Sequence, residues 1–69
     1  MNIRHALDMA FATDRLISRP YLMDERNSYL LYQGEYAPIL LCRFDSPLRT
    51  AWTPSPTELM ADDWFFVEG

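Results

Sequence analysis

The sequence has no lysine, one cysteine, one histidine and two glycines. Each shortage removes a class of protein. A single cysteine, Cys42, cannot close an internal disulfide, and Cys42 with His5 cannot build a nitrogen–sulfur zinc cage within one subunit. Gly34 and Gly69 stand far apart, so there is no glycine-rich loop to cradle phosphates. No apolar run approaches the ~18–20 residues of a membrane span. The opening residues carry a helix-like pattern interrupted by Asp8 rather than the continuous apolar stretch of a secretory signal. All six basic residues are arginines, set against ten acids for a net charge of −4. An acidic surface is a poor general partner for DNA or RNA, whose binding needs many neutralised phosphates. A small phosphate ligand is another matter, because one or two guanidinium forks can hold it.

What remains is apolar and aromatic. Nearly half of the 69 residues are hydrophobic and 14% are aromatic, which excludes a disordered chain. The length allows one domain. A chain this short buries only about 60% of the surface that its unfolded form exposes, and is marginal without help. With disulfide and metal excluded, a partner chain is the expected help. The reading is a soluble protein of a reducing cytosol, with no metal or cofactor.

The periodicities predict an α+β domain built on a small antiparallel sheet, in the order α-β-β-β-α-β. Ile3, Ala6, Leu7, Ala10 and Phe11 make one apolar helical stripe over residues 3–13, with Asn2 as N-cap and Thr13-Asp14 as exit. Residues 15–19 read as a short strand ended by Pro20. Residues 23–27 read as a charged loop. Residues 28–33 and 36–44 read as a hairpin joined by a tight turn at Gln33-Gly34-Glu35, with Pro38 at an edge or bulge. Residues 45–54 read as a loop. Ser55-Pro56-Thr57-Glu58 is a strong helix start: Ser as cap, Pro at the first position, Glu closing a capping box. That helix runs to about Asp62, and residues 64–67 form the last strand.

Two strands are apolar on both faces. Tyr36, Pro38, Leu40, Cys42 and Phe44 alternate with Ala37, Ile39, Leu41 and Arg43, and Trp64 and Phe66 alternate with Phe65 and Val67. A half-exposed antiparallel strand alternates apolar with polar. One helix covers one face of a small sheet, so the other face is expected to be covered by a second copy, giving a homo-oligomer. The competing arrangement folds the short second helix across that second face and leaves a monomer.

The residue types give no catalytic constellation. His5 falls on the polar side of the first helix, Cys42 reads as a buried small hydrophobe, and Asp62-Asp63 reads as a solvated helix exit. A non-enzyme is therefore expected. Tyr21, Tyr29, Tyr32, Tyr36, Trp52 and Trp64 accompany Arg19, Arg26, Arg43 and Arg49, which is the inventory of a nucleotide site. An aromatic ring stacks a base for about 1–3 kcal/mol and arginine clamps phosphate. Most of the rings in residues 64–66 read as core or interface. Trp52 stands apart, in a proline-rich loop just before a helix N-terminus, where backbone N–H groups can meet an anion.

The segment Ala51-Trp52-Thr53-Pro54-Ser55-Pro56-Thr57-Glu58-Leu59-Met60-Ala61-Asp62-Asp63-Trp64 resembles the C-terminal signature of the second Thoeris anti-defence family of small phage proteins. Ile17-Ser18-Arg19-Pro20 after the first helix looks like that family's opening, and Tyr21-Leu22 stands where many members place a tryptophan. The resemblance implies a non-enzymatic sponge in the cytoplasm of a bacterial host. Such proteins bind cyclic ADP-ribose isomers, and in some members cyclic dinucleotides, as homotetramers with pockets between subunits. It also implies that Trp52, Asp63 and Trp64 line or support the pocket. Trp52 would stack a base, and the Asp63 carboxylate would accept from an exocyclic amine or ribose hydroxyl. Thr53 and Ser55 would donate to phosphate, and Arg19 and Tyr21 complete the expected ligand set. The expected partners are this small molecule and further copies of the chain, as dimer or tetramer, with no membrane, DNA or RNA. Two other readings carry different expectations. A protein–protein interaction module would co-purify with a host protein, and a structural phage component would assemble into large particles.

Overall fold

The computed structural model describes residues 1–67. Helix α1, Ile3–Thr13, starts at Asn2, whose Oδ1 accepts the His5 N–H at 2.8 Å, and ends at Asp14 in the left-handed conformation. Of the predicted stripe, Ile3, Ala6 and Ala10 are buried and Leu7 partly so, whereas Phe11 is exposed. Strand β1, Leu16–Ser18, follows.

Pro20 then does something different from ending a strand. It opens helix α2, Pro20–Arg26, which closes at Asn27 in the left-handed conformation. The predicted charged loop over 23–27 is thus mostly helix. Proline's fixed φ suits the first helical position, where a missing N–H costs nothing. Leu22 anchors the helix from below, and Asp24, Glu25 and Arg26 are its solvent side.

Strands β2 (Ser28–Leu31) and β3 (Leu40–Arg43) pair antiparallel, Ser28 opposite Arg43 and Leu31 opposite Leu40. They are shorter than predicted, and a wide loop over residues 32–39 replaces the tight turn. Pro38 cannot donate to a ladder, and Gly34 sits at φ +107° with the Phe11 ring 3.3 Å from where a Cβ would stand. Phe11 and Tyr32 meet edge to face at 5.9 Å, so the loop, which turns through the Ala37 N–H donating to the Gly34 carbonyl at 3.4 Å, lies over the end of α1.

The predicted loop 45–54 contains a fourth strand, β4, Arg49–Ala51, paired to β3. Its three residues are all exposed, so it carries no apolar signal; it is held through its backbone. Helix α3, Pro56–Met60, starts at Ser55 with the predicted capping box complete and stops short of Asp62. Strand β5, Phe65–Val67, pairs antiparallel with β1. The result is an α+β fold with a five-stranded antiparallel sheet in the order β4-β3-β2-β1-β5.

Register assigns the two faces. Phe66, Ile17, Leu30, Leu41 and Thr50 lie opposite one another across the five strands and share one face. The core gathers on this face: Ile17, Leu30 and Leu22 with Ile3, Ala6, Ala10 and Trp64, flanked by Ile39, Leu41, Trp52 and Phe66. Each large side chain so buried contributes about 1.5–3 kcal/mol. All three helices belong to this side. The helix expected to fold across the second face, now α3, therefore lies on the core side instead.

Candidate functional site

The site is built where α2, the end of β4 and the start of α3 converge over Leu41. A cleft of about 650 Å³ is lined by Arg19, Tyr21, Arg26, Leu41, Trp52, Thr53, Ser55, Thr57 and Glu58. Sheet parity explains the convergence. Leu41 and Trp52 point to the helical face, and the Trp52 N–H donates to the Ile39 carbonyl at 2.8 Å, which fixes the chain as it leaves β4. Proline at the first position of both α2 and α3 starts those helices abruptly beside the cleft.

Five of the seven residues expected from the sequence, Arg19, Tyr21, Trp52, Thr53 and Ser55, line this one cleft. Tyr21 is half exposed on α2 and offers a free ring. Trp52 is half-buried and meets Trp64 edge to face, centroids 6.0 Å apart. Trp64 itself is 2% exposed, a core residue beneath Trp52 whose indole N–H donates to the Glu58 carbonyl at 3.4 Å. It supports the cleft and does not line it.

Asp63 is at the rim, tied to Arg19. The Arg19 Nε donates to Oδ1 at 2.9 Å and an Nη donates to Oδ2 at 3.4 Å. The Arg19 side chain is only 14% exposed and that of Asp63 42%. Their hydrogen bond holds the Asp63 carboxyl below its usual range and the Arg19 guanidinium above its own. Arg19 thus reaches the cleft with its charge already half answered. Arg26 also lines the cleft, and among the described residues no carboxylate pairs with it.

The capping box constrains the anion donors. Ser55 Oγ accepts the Glu58 N–H at 3.3 Å, and Glu58 Oε1 accepts the Ser55 N–H at 3.0 Å. A hydroxyl that accepts still has its own hydrogen to give, so Ser55 keeps a donor for a ligand. The backbone keeps little. Pro56 has no N–H and that of Glu58 is used, which leaves the Thr57 N–H alone in the first turn of a five-residue helix, too little for the anion site that its position suggested. Donation falls to Thr53, Ser55, Thr57 and the arginines.

Sequence reading missed Arg26, Leu41, Thr57 and Glu58 as parts of the cleft. Arg26 was in the aromatic–arginine inventory, but only the helical path of residues 20–26 brings it beside Arg19 and Tyr21. A second hollow of about 500 Å³ continues from the first through Arg26 and Leu41 toward Arg43, Leu48 and Thr50. His5 is exposed on α1 and Cys42 is buried on strand β3, so neither enters the cleft. No group of three or more His, Cys, Asp or Glu side chains among the described residues is arranged to hold a metal ion. No helix among them is long and apolar enough to cross a membrane.

Comparison with known proteins found no matching family model, no matching curated protein and no matching solved structure.

Proposed function

We propose that this chain binds cyclic nucleotide immune signals and sequesters them without cleaving them, as a phage anti-defence protein acting in the bacterial cytoplasm. Cyclic ADP-ribose isomers are the first ligands of this reading and cyclic dinucleotides the second. The observation that carries it is the meeting of two aromatic side chains, Tyr21 and Trp52, with Arg19, Arg26 and three hydroxyls in one cleft. Rings stack bases, guanidinium groups and hydroxyls hold phosphate, and the half-exposed Asp63 oxygens accept from an amine or ribose hydroxyl. The cleft lining offers no imidazole or thiol, and its carboxylate, Glu58, is occupied by the capping box. Those are the furnishings of a binder that leaves its ligand intact.

Sequestration demands tight binding. Nanomolar affinity is about −12 kcal/mol, and association itself costs ~4–15 kcal/mol in lost freedom. Two stacked rings at about 1–3 kcal/mol each and one or two phosphate clamps leave an open cleft short of that. The reading therefore includes self-association, in which further copies stabilise the domain and close the site.

The test is to incubate the purified protein with cyclic ADP-ribose isomers and cyclic dinucleotides, remove free ligand, denature by heat and analyse the supernatant by mass spectrometry. Intact ligand is expected. Tyr21→Ala and Arg26→Ala, both at exposed positions, should lose retention while their circular dichroism is unchanged. A hydrolysed product would overturn the non-enzymatic reading. No retained nucleotide together with a co-purifying host protein would favour an inhibitory interaction module instead.

A further inference from the structure

The sheet face opposite the helices carries Val67, Leu16, Leu31, Leu40 and Ala51 in one row across the five strands. Phe65, Ser18, Tyr29, Cys42 and Arg49 make the next row, and Phe44 follows Cys42 beyond the end of β3, its ring 4.7 Å from that of Tyr29. Ser18 and Cys42 are buried, Ser18 opposite Phe65 and Cys42 between Tyr29 and Arg49. The large ones are not: Leu16, Tyr29, Leu31, Leu40, Phe65 and Val67 are all partly open and Phe44 is 48% exposed. Among the described residues no helix lies on this side.

We infer that a second copy of the chain docks here, sheet face on sheet face. Two observations select that occupant. The first is charge. Copies that each carry −4 repel, yet the strand residues of this face bring no acid and one cation, Arg49, so two copies approach here without confronting their carboxylates. The second is size. Five strands about 4.8 Å apart and up to four residues long make a face of about 24 Å by 14 Å. With side-chain relief that is on the order of 500 Å² per copy and 1,000 Å² per pair, which meets the lower bound for a specific interface. Sheets packed this way sit about 10 Å apart with interleaved side chains, supplying the second core that the chain lacks. The inference rests on the self-association in the reading above but not on its ligand. It also moves one expectation: this seam and the cleft lie on opposite faces of the sheet, so this seam is not where the ligand binds.

Sedimentation equilibrium and concentration-dependent thermal melting test it. The wild type should run above the monomer mass, with a melting temperature that rises with protein concentration. Leu31→Glu and Phe44→Glu should at least halve the mass, and Phe44→Glu should melt lower than wild type and with a weaker dependence on concentration. Leu59→Glu, on exposed α3, is the control and should keep the wild-type mass. If Leu31→Glu fails to fold, Phe44→Glu decides, since its side chain is exposed in the single chain. A monomeric wild type, or Phe44→Glu at wild-type mass, overturns the inference. Ligand retention by the folded variants is scored separately: an assembled wild type that retains no nucleotide counts against the proposed function alone.

Discussion

Replacing Asp63 by Asn probes the one ion pair that joins α2 to the approach to β5. The pair has one short bond at 2.9 Å and one long bond at 3.4 Å, between a mostly buried guanidinium and a half-exposed carboxylate. A fully exposed pair is worth about 0.2–1 kcal/mol and a hydrogen bond to a charged group about 1.5–3 kcal/mol. Solvent screening at Asp63 pulls the value toward the lower range, to about 1 kcal/mol. In a domain of this size that is a loss of about 4–8 °C in melting temperature. The assay is a double-mutant cycle with Arg19→Gln, Asp63→Asn and the double variant, melted near pH 7 and near pH 2.5. The sign follows from the depressed pKa of Asp63. The contribution is fully present above the unfolded carboxyl value of about 3.9 and disappears as pH falls through the lower folded value. The coupling should therefore be about 1 kcal/mol at neutral pH and vanish in acid. A coupling near zero at neutral pH, or one of equal size at both, would refute the electrostatic account and leave Arg19 as a packing residue.

Two further outcomes follow from the packing. Trp64→Ala should cost about 3–5 kcal/mol, comparable to all that a core this small supplies, so the near-ultraviolet circular dichroism of the variant should be lost at room temperature. Ser55→Ala should cost about 1 kcal/mol by opening the capping box, whereas Ser55→Asp, which still accepts the Glu58 N–H, should melt close to wild type.

Where a residue's own chemistry fixes its conformation, the sequence sufficed. Asn2 as cap and the Ser55–Glu58 box form as read, and so does the stripe of α1 except at Phe11, which is exposed and lies against the 32–39 loop, because each is decided within one or two turns of chain. The neighbourhood of Pro20 went the other way. Proline ends a strand and opens a helix with the same fixed φ, and only the burial of Leu22 under the sheet decides for the helix. Strand β4 was illegible for a related reason: Arg49, Thr50 and Ala51 bury nothing, and their conformation is imposed by the free edge of β3. The cleft was half legible. Tyr21, Trp52, Thr53 and Ser55 are distinctive residue types and were found as such, but Arg26 belongs only because α2 turns it toward Arg19.

The sequence by itself determined that both faces of the sheet are apolar, since alternation along a strand sends neighbouring side chains to opposite sides wherever the strand is placed. Tertiary structure alone decided which face is covered. All three helices gather over Ile17 and Leu30, where Leu22 and Trp64 find burial, and none of the described helices covers the opposite face, which carries Leu16, Leu40 and Phe65. Choosing between two equally greasy faces requires knowing the hand of each connection, and that is a property of packed elements rather than of any stretch of residues.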